Sequence, residues 1–374
     1  MRVLVDATSL PPTRGGVARY LAGLLSGLSD AGVRVRVAVK AEDVAWLREQ
    51  APGHRFVRVP SAVSRRPVRL LWEQVGLPLL LLRTRSELLH SPHYTFPLVL
   101  ASRTVVTLHD ATFFSAPEDH GRLKGAFFRL WTRLARTLAR STVVPSRATA
   151  AELEVHAGRT HHPVRVAHHG VDRMLFAPPA PGDVAAFALQ HGLDPSRGWL
   201  AFLGTVEPRK NLPALFRAHR RLRTERPGST PPLLVAGGLG WDQEARTLLE
   251  AAGNTPGADL RYLGYLPLAS LGAFLGGSTA VIYPSSAEGF GLPVLEAMAA
   301  GATVLTSPRL ALPEVGGDAV AYAEPTEDGI HVELADLLAS PDRRAQLAAL
   351  GEERATLFTW AACATVHVEA YTQR

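Results

Sequence analysis

Cysteine is nearly absent: the 374 residues hold one, Cys363, so no internal disulfide can form and no thiol pair can hold zinc. A reducing, cytoplasmic setting is expected. Long apolar runs are missing as well. The longest, Leu77 to Leu82, is a core or interface segment, far short of the roughly 18 residues that a membrane-spanning helix needs. The opening MRVLVDATSL is broken by Asp6 too early to be a secretory core. No nucleic-acid reader motif occurs, nor any interleaving of aromatic with basic residues, which argues against a nucleic-acid partner. What remains, 47% apolar and 20% charged residues, is the composition of a soluble globular chain long enough for two domains.

Short apolar segments alternate with amphipathic stretches throughout. RVLVDA, VRVRVAV, FVRVP, ELLHSP, TVVTLHD, STVVPS and PVRVAHH read as strands in the first half, with helical spacing in segments such as ARYLAGLLSGLSDAG between them. WLAFLGT, PLLVAGG, DLRYLGY, TAVIYPS, TVLTS and AVAYAEP repeat the scheme in the second half. The pattern predicts two α/β domains on parallel sheets, 1–172 and 173–358, with the Pro-rich FAPPAPGD after Val171 as linker. Ligands of such sheets sit beyond the carboxyl ends of the strands, so the loops there are the places to look for function.

Charge is uneven: residues 1–180 carry 25 Lys and Arg against 13 Asp and Glu, and the remainder is acidic. That excess implies an acidic partner, anionic lipid head groups or a phosphorylated acceptor, unless it reflects only an arginine-rich composition. Arg122, Arg129, Arg133, Arg136 and Arg140 share one face of a predicted helix, with Phe127, Leu130, Leu134 and Leu138 on another. Such a helix either lies on an anionic membrane or packs its apolar side in the core. SRRPVRLLW, residues 64–72, is a second candidate docking surface.

The densest chemistry lies in SSAEGFGLPVLEAMAAGATVLTS, Ser285 to Ser307. A strand ending in YPSS leads to Glu288, a Gly-Phe-Gly turn and a helix that Pro293 opens and Gly301 closes. The four unpaired amides and the dipole of that helix would meet an anion above Phe290 and Gly291. Glu288 in the loop and Glu296 in the first helical turn are acceptor-only groups suited to hydroxyls. A ligand with both phosphates and sugar hydroxyls, a nucleotide sugar, fits. In GTVEPRKN, Arg209 offers a planar fork and Lys210 a point charge, together able to neutralise a diphosphate. Gly15 and Gly16 of PPTRGGVARYLAG permit close backbone approach ahead of a helix, or simply serve the turn. Arg14 and Arg19 beside them are contacts for acceptor or phosphate, or lie on a solvated helix face. His109 stands just past a strand, where a neutral imidazole can both donate and accept. His90 and His93 read as local structural groups.

In combination these motifs closely resemble the retaining glycosyltransferases of family 4, the mannosyltransferase-like group 1, over essentially the full length. The resemblance implies a GT-B fold of two facing Rossmann-like domains with a cleft between them, and a C-terminal helix, about 359–374, packing back on the first. It implies that Arg209 and Lys210, with Gly16 and the backbone at Phe290, Gly291 and Leu292, grip the nucleotide diphosphate. Glu296 would hold the ribose and the backbone at Tyr265 and Leu266 the base. Glu288 and His109 would be the catalytic pair at the transferred sugar, and Gly15 and Arg14 would line the acceptor side. Some members have arginine where this chain has Thr205, leaving one cation fewer. No Asp-x-Asp pair is present, so transfer without a metal is expected, with no cofactor beyond a GDP- or UDP-sugar co-substrate. The GTVEPRKN form favours GDP-mannose or a related hexose. The implied enzyme is a retaining hexosyltransferase acting on a glycan, lipid-linked or small-molecule hydroxyl, cytoplasmic and in peripheral contact with the inner face of the cell membrane. Another nucleotide-sugar enzyme of the same fold, such as an epimerase, and a catalytically silent sugar- or lipid-binding protein stay open as alternatives.

Overall fold

The computed structural model describes residues 2–373 except 12, 13, 195, 196, 254 and 256, and describes only the backbone at 66 and 118. The chain divides into two compact units, Met1–Gly170 with Phe358–Arg374, and Val171–Leu357. All 13 segments read as strands contain one.

The first unit is a seven-stranded sheet of β1 (Val3–Asp6), β2 (Arg36–Val39), β3 (Arg55–Arg58), β4 (Leu88–Ser91), β5 (Thr104–Thr107), β6 (Ser141–Val144) and β7 (Val164–Val166), in the order β3-β2-β1-β4-β5-β6-β7. Every pairing is parallel. β1, β4, β5 and β6 are buried at every position, as expected of strands covered on both faces, which is why they appear in the sequence as apolar runs without alternation. The helix Gly16–Asp30 turns Ala18, Leu21, Leu24, Leu25 and Leu28 into one core. The C-terminal helix Trp360–Thr372, capped by Thr359 Oγ1 accepting from Ala362 N at 3.1 Å, packs on it. Close approach depends on Gly27, where a Cβ would lie 2.2 Å from the carbonyl oxygen of Trp360.

The second unit is a six-stranded sheet of β8 (Leu200–Leu203), β9 (Leu233–Ala236), β10 (Leu260–Gly264), β11 (Ala280–Tyr283), β12 (Val304–Thr306) and β13 (Ala321–Tyr322), ordered β10-β9-β8-β11-β12-β13 and parallel throughout. Both sheets reverse their winding once, between β1 and β4 and between β8 and β11, the doubly wound arrangement whose ligands sit at the carboxyl ends of the strands flanking the reversal.

Two expectations change. FAPPAPGD is not a free linker: Pro178 and Pro179 pack on Gly301 and Gly276, and Asp172 already turns the chain within the second unit by accepting from Met174 N at 2.9 Å and Leu175 N at 3.3 Å. The helix Arg122–Leu138 does not split cleanly into basic and apolar faces. Arg136 is buried and donates to Gly158 O, Arg129 donates to Phe113 O at 2.9 Å, and Arg133 lies over the Phe114 ring, while Leu123, Leu130 and Leu138 are exposed. Guanidinium groups find carbonyl and ring partners in neighbouring loops, and the stripe turns partly inward.

Candidate active site

The reversal in the second unit brings two motifs together. The chain leaves β8 at Gly204 and makes a short turn, Pro208–Lys210, that ends at Asn211 in a left-handed conformation, φ 56°. Asn211 Nδ2 donates to Pro325 O at 2.7 Å and fixes that bend. From β11, the Ser286 hydroxyl and amide donate to Arg209 O at 3.1 and 2.8 Å, clamping one loop on the other, while the Ser285 hydroxyl, 2.9 Å from the same oxygen, gives its single proton to Glu288. Glu288 then meets the cation pair. Its Oε2 takes Arg209 at 2.7 Å; its Oε1 takes Lys210 Nζ, the Tyr283 hydroxyl at 2.9 Å and the Ser285 hydroxyl at 2.7 Å. Glu207 closes the cluster, 2.5 Å from Arg209 and 3.9 Å from Lys210.

These charges are buried: Lys210 is 5% exposed, Glu288 7% and Glu207 8%. Burial by itself raises the Glu288 carboxyl, but Arg209 and Lys210 outweigh it and hold the group down at about 2. Burial and the neighbouring Arg209 push the Lys210 ammonium below its ordinary value, against the pull of Glu288 and Glu207. Two cations and two carboxylates thus stand preorganised at the carboxyl ends of β8 and β11.

The helix that follows runs Leu292–Ala299, behind Gly291 at φ 103°, where any Cβ would lie 2.8 Å from Leu312 Cδ2. It starts one residue earlier than expected, so the buried Glu296 sits past the first turn. Nor does it present four unpaired amides. Pro293 has none, and Val294 and Leu295 donate to Gly291 O at 3.0 and 3.2 Å. Phe290 and Leu292 are buried in the turn and at the helix start. Tyr265 and Leu266 follow β10, the first 52% exposed and the second buried. The ends of β8, β9 and β10 are drawn together by Gly237, whose N donates to Gly264 O at 2.7 Å and whose Cβ would overlap Gly204 O.

In the first unit, His109 follows β5 and is half-buried. Its Nε2 lies 2.7 Å from Pro92 O. A carbonyl only accepts, so Nε2 carries the proton and Nδ1 is left as an acceptor. Burial lowers the pKa of His109 and keeps it neutral, against the opposing Pro92 carbonyl and Asp110. The Tyr20 ring meets His109 edge-on with centroids 4.8 Å apart. Gly15 and Gly16 open the helix 16–30; a Cβ on either would touch nothing within 4 Å, so internal packing does not require glycine there. Pro12 and Thr13 of the same loop lie outside the described residues. Arg14 is held by Asp43 at 2.7 Å and lies over the Trp46 ring.

Beneath His109 runs a buried hydrogen-bond chain that sequence reasoning missed. His367 Nδ1 lies 2.8 Å from Cys363 O and therefore donates, leaving Nε2 to accept from the Tyr20 hydroxyl at 2.9 Å. Tyr20 then accepts from Thr107 at 2.9 Å, Thr107 from His90 Nε2 at 2.9 Å, and His90 Nδ1 from Tyr371 at 2.9 Å. One carbonyl sets the direction of the whole chain and the tautomer of both histidines. His90 is thus structural, as read, but part of a tie to the C-terminal helix. Glu207, Tyr283 and Ser285 were also missed as partners, although EPRKN and YPSS place each within five residues of a motif glutamate or lysine.

Among the described residues no three His, Cys, Asp or Glu side chains gather as metal ligands, and no helix is long and apolar enough to cross a membrane. Two doubly wound parallel sheets, the second with a cluster of paired charges at its strand reversal, define an α/β protein of two Rossmann-like units. Residues 14–175 match the model of Glycosyltransferase Family 4, and residues 185–354 that of Glycosyl transferases group 1. The chain is 30% identical over 297 residues to O-antigen chain mannosyltransferase B of Escherichia coli, covering 77% of this chain and 74% of that protein. It is 28% identical over 403 residues to a D-inositol 3-phosphate glycosyltransferase of Segniliparus rotundus, covering 96% and 84%. In fold it is similar to the sucrose-phosphate synthase of Thermosynechococcus elongatus, with TM-score 0.79 at 19% identity over 99% and 98% of the two chains. It is also similar to Anabaena HepE in complex with UDP and glucose, with TM-score 0.76 at 16% identity over 100% of each. The chain belongs to the family 4, group 1 glycosyltransferases of GT-B type.

Proposed function

We propose that this glycosyltransferase moves a hexose, with mannose the first candidate, from a GDP- or UDP-sugar to a hydroxyl of a glycan, lipid-linked or small-molecule acceptor, with retention of configuration and without a metal. The observation that carries the reading is the Arg209–Lys210–Glu288–Glu207 cluster at the strand reversal, buried except for the half-buried Arg209. Preorganised cations stabilise a departing diphosphate strongly, because they need no reorganisation as charge develops. Arg209 and Lys210 neutralise the two phosphates, and the backbone ahead of Pro293 adds amide donors at the turn through Phe290 and Gly291. A diphosphate that takes over Arg209 releases Glu288 Oε2 for a hydroxyl of the transferred sugar. Glu296 binds the ribose, and the backbone at Tyr265 and Leu266 meets the base. His109, neutral with Nδ1 open as an acceptor, binds a hydroxyl of the sugar, and Gly15 and Gly16 admit the ligand close to the backbone.

In the transfer the acceptor oxygen bonds to the anomeric carbon as the bond to the phosphate oxygen breaks on the same face, and the departing phosphate takes the acceptor's proton. The Escherichia coli relative named as a mannosyltransferase supports mannose; the HepE complexes with UDP and UDP-glucose support a nucleotide-sugar donor. The named relatives acting on O-antigen chains and inositol phosphate support a hydroxyl acceptor. Anionic head groups at the inner membrane face are part of the same proposal. The test is to incubate the protein in EDTA with GDP-mannose or a UDP-hexose and candidate acceptors, and to read the anomeric configuration of the product. A glycoside with the donor's configuration is expected; an inverted product, an epimerised free nucleotide sugar, or turnover only on adding a divalent cation would overturn the reading.

A further inference from the structure

The charge excess of the first unit is not absorbed by the site just described. Six arginines, Arg2, Arg36, Arg55, Arg58, Arg83 and Arg85, line one concavity of about 780 Å³, a size common among small-ligand sites. No carboxylate lines it. Alternation along the strands explains the placement. Leu4, Ala38 and Val59 point into one core cluster under the helix Leu77–Arg83, with Leu80 and Leu81. Arg2, Arg36 and Arg55 lie on that same sheet face, toward the amino ends of the strands.

Register makes the arrangement costly. Arg36 is paired directly with Arg55 across β2 and β3, and Leu4, two residues beyond Arg2, with Arg36. Like charges opposite one another on neighbouring strands repel. Among the described residues Arg36, Arg55, Arg58, Arg83 and Arg85 make no ion pair, and Arg2 has only Glu87, at 3.3 Å with both side chains exposed. The helix dipole accounts for Arg83 in the last turn, but not for the others. Trp72 on the wall keeps an indole N–H without an acceptor.

We propose that this concavity is an anion site for a phosphate-rich group, either a di- or triphosphate free in solution or the phosphates of lipid head groups. Guanidinium forks bind phosphate oxygens bidentately, and one such anion between Arg36 and Arg55 turns their repulsion into two attractions. Arg2, Arg36 and Arg55 stand at the amino ends of β1, β2 and β3, and Arg58 and Pro60 carry the lining along the edge strand β3; none of the lining residues belongs to the loop after β5 that holds His109. It does not depend on the transfer reading.

The experiment uses the full chain carrying Lys210→Ala, so that the cation pair of the second unit does not report. Inorganic triphosphate is titrated calorimetrically, and vesicles of phosphatidylglycerol are tested by co-sedimentation. Binding that weakens at least tenfold in Arg36→Gln/Arg55→Gln and in Arg83→Gln/Arg85→Gln, but not in the charge-matched control Arg122→Gln/Arg159→Gln, is expected. Triphosphate binding identifies a soluble ligand; vesicle binding alone, with the same dependence on these arginines, identifies head groups. Thermal unfolding shows whether each variant is folded, and two independent pairs keep the test decisive if one is not. Binding of neither probe by the parent, or equal weakening in the control, would overturn the proposal.

Discussion

Replacing Glu288 by Gln keeps the side chain's shape and removes its charge, and the structure sets the consequence. Each carboxylate oxygen faces only donors: Arg209 at one, Lys210, Tyr283 and Ser285 at the other. Either orientation of an amide therefore aims an N–H at a donor and leaves the buried Lys210 and the half-buried Arg209 with Glu207 alone. The folded-state value of about 2 against an ordinary 4.5 corresponds to about 3 kcal/mol at neutral pH, at roughly 1.4 kcal/mol per unit. Because the folded value is depressed, this stabilisation is present in full above about 4.5 and is lost as pH falls toward about 2. For a unit of this size the melting temperature of the second unit's transition should drop by roughly 6–12 °C at pH 7. The gap between parent and variant should narrow steadily from pH 4.5 downward. Calorimetry at pH 7, 4 and 3 reads it directly. An unchanged melting temperature at pH 7, or a deficit that stays constant through pH 3, would refute the electrostatic account. The same variant should lose transfer activity yet bind nucleoside diphosphate at least as well as the parent, because the carboxylate that competes for Arg209 is gone.

Two further outcomes follow from the first unit. Tyr20→Phe leaves Thr107 and His367 facing each other without their bridge, and should cost about 1–3 kcal/mol, read by denaturant unfolding; an unaltered midpoint would show the chain to be energetically idle. Burial lowers the pKa of His109, so the acid limb of kcat should lie below the ordinary histidine value, and His109→Gln should remove that limb together with most of the activity; an acid limb at or above the ordinary value would refute the assignment.

The central strands were legible because parallel strands covered on both faces must be short apolar runs, as in β1, β8 and β11, while the edge strands β3 and β7, which hold arginines and have no buried position, show only a short apolar-basic alternation. The loops of the site were legible for a similar local reason: a Gly-Phe-Gly turn before Pro293 and a turn ending at Asn211 are dictated by backbone chemistry within a few residues. What was not legible depends on distant partners. EPRKN does not reveal that Arg209 and Lys210 are already neutralised by a glutamate 78 residues on from Lys210. The arginines of the helix 122–138 are spaced as an exposed stripe, yet Arg136 reaches Gly158 O and is buried, a partner no periodicity announces. The chain from Tyr371 to Cys363 joins residues as far as 347 positions apart.

A metal-free nucleotide-sugar site built on Lys210 and its cluster is tested most directly by thermal unfolding in EDTA against UDP, GDP, ADP, TDP and their common sugar conjugates. A selective rise with one nucleotide, roughly 5–10 °C at a hundredfold excess over Kd, that disappears in Lys210→Ala is the predicted result. No rise with any nucleotide, or the same rise in the Lys210→Ala protein, would contradict it.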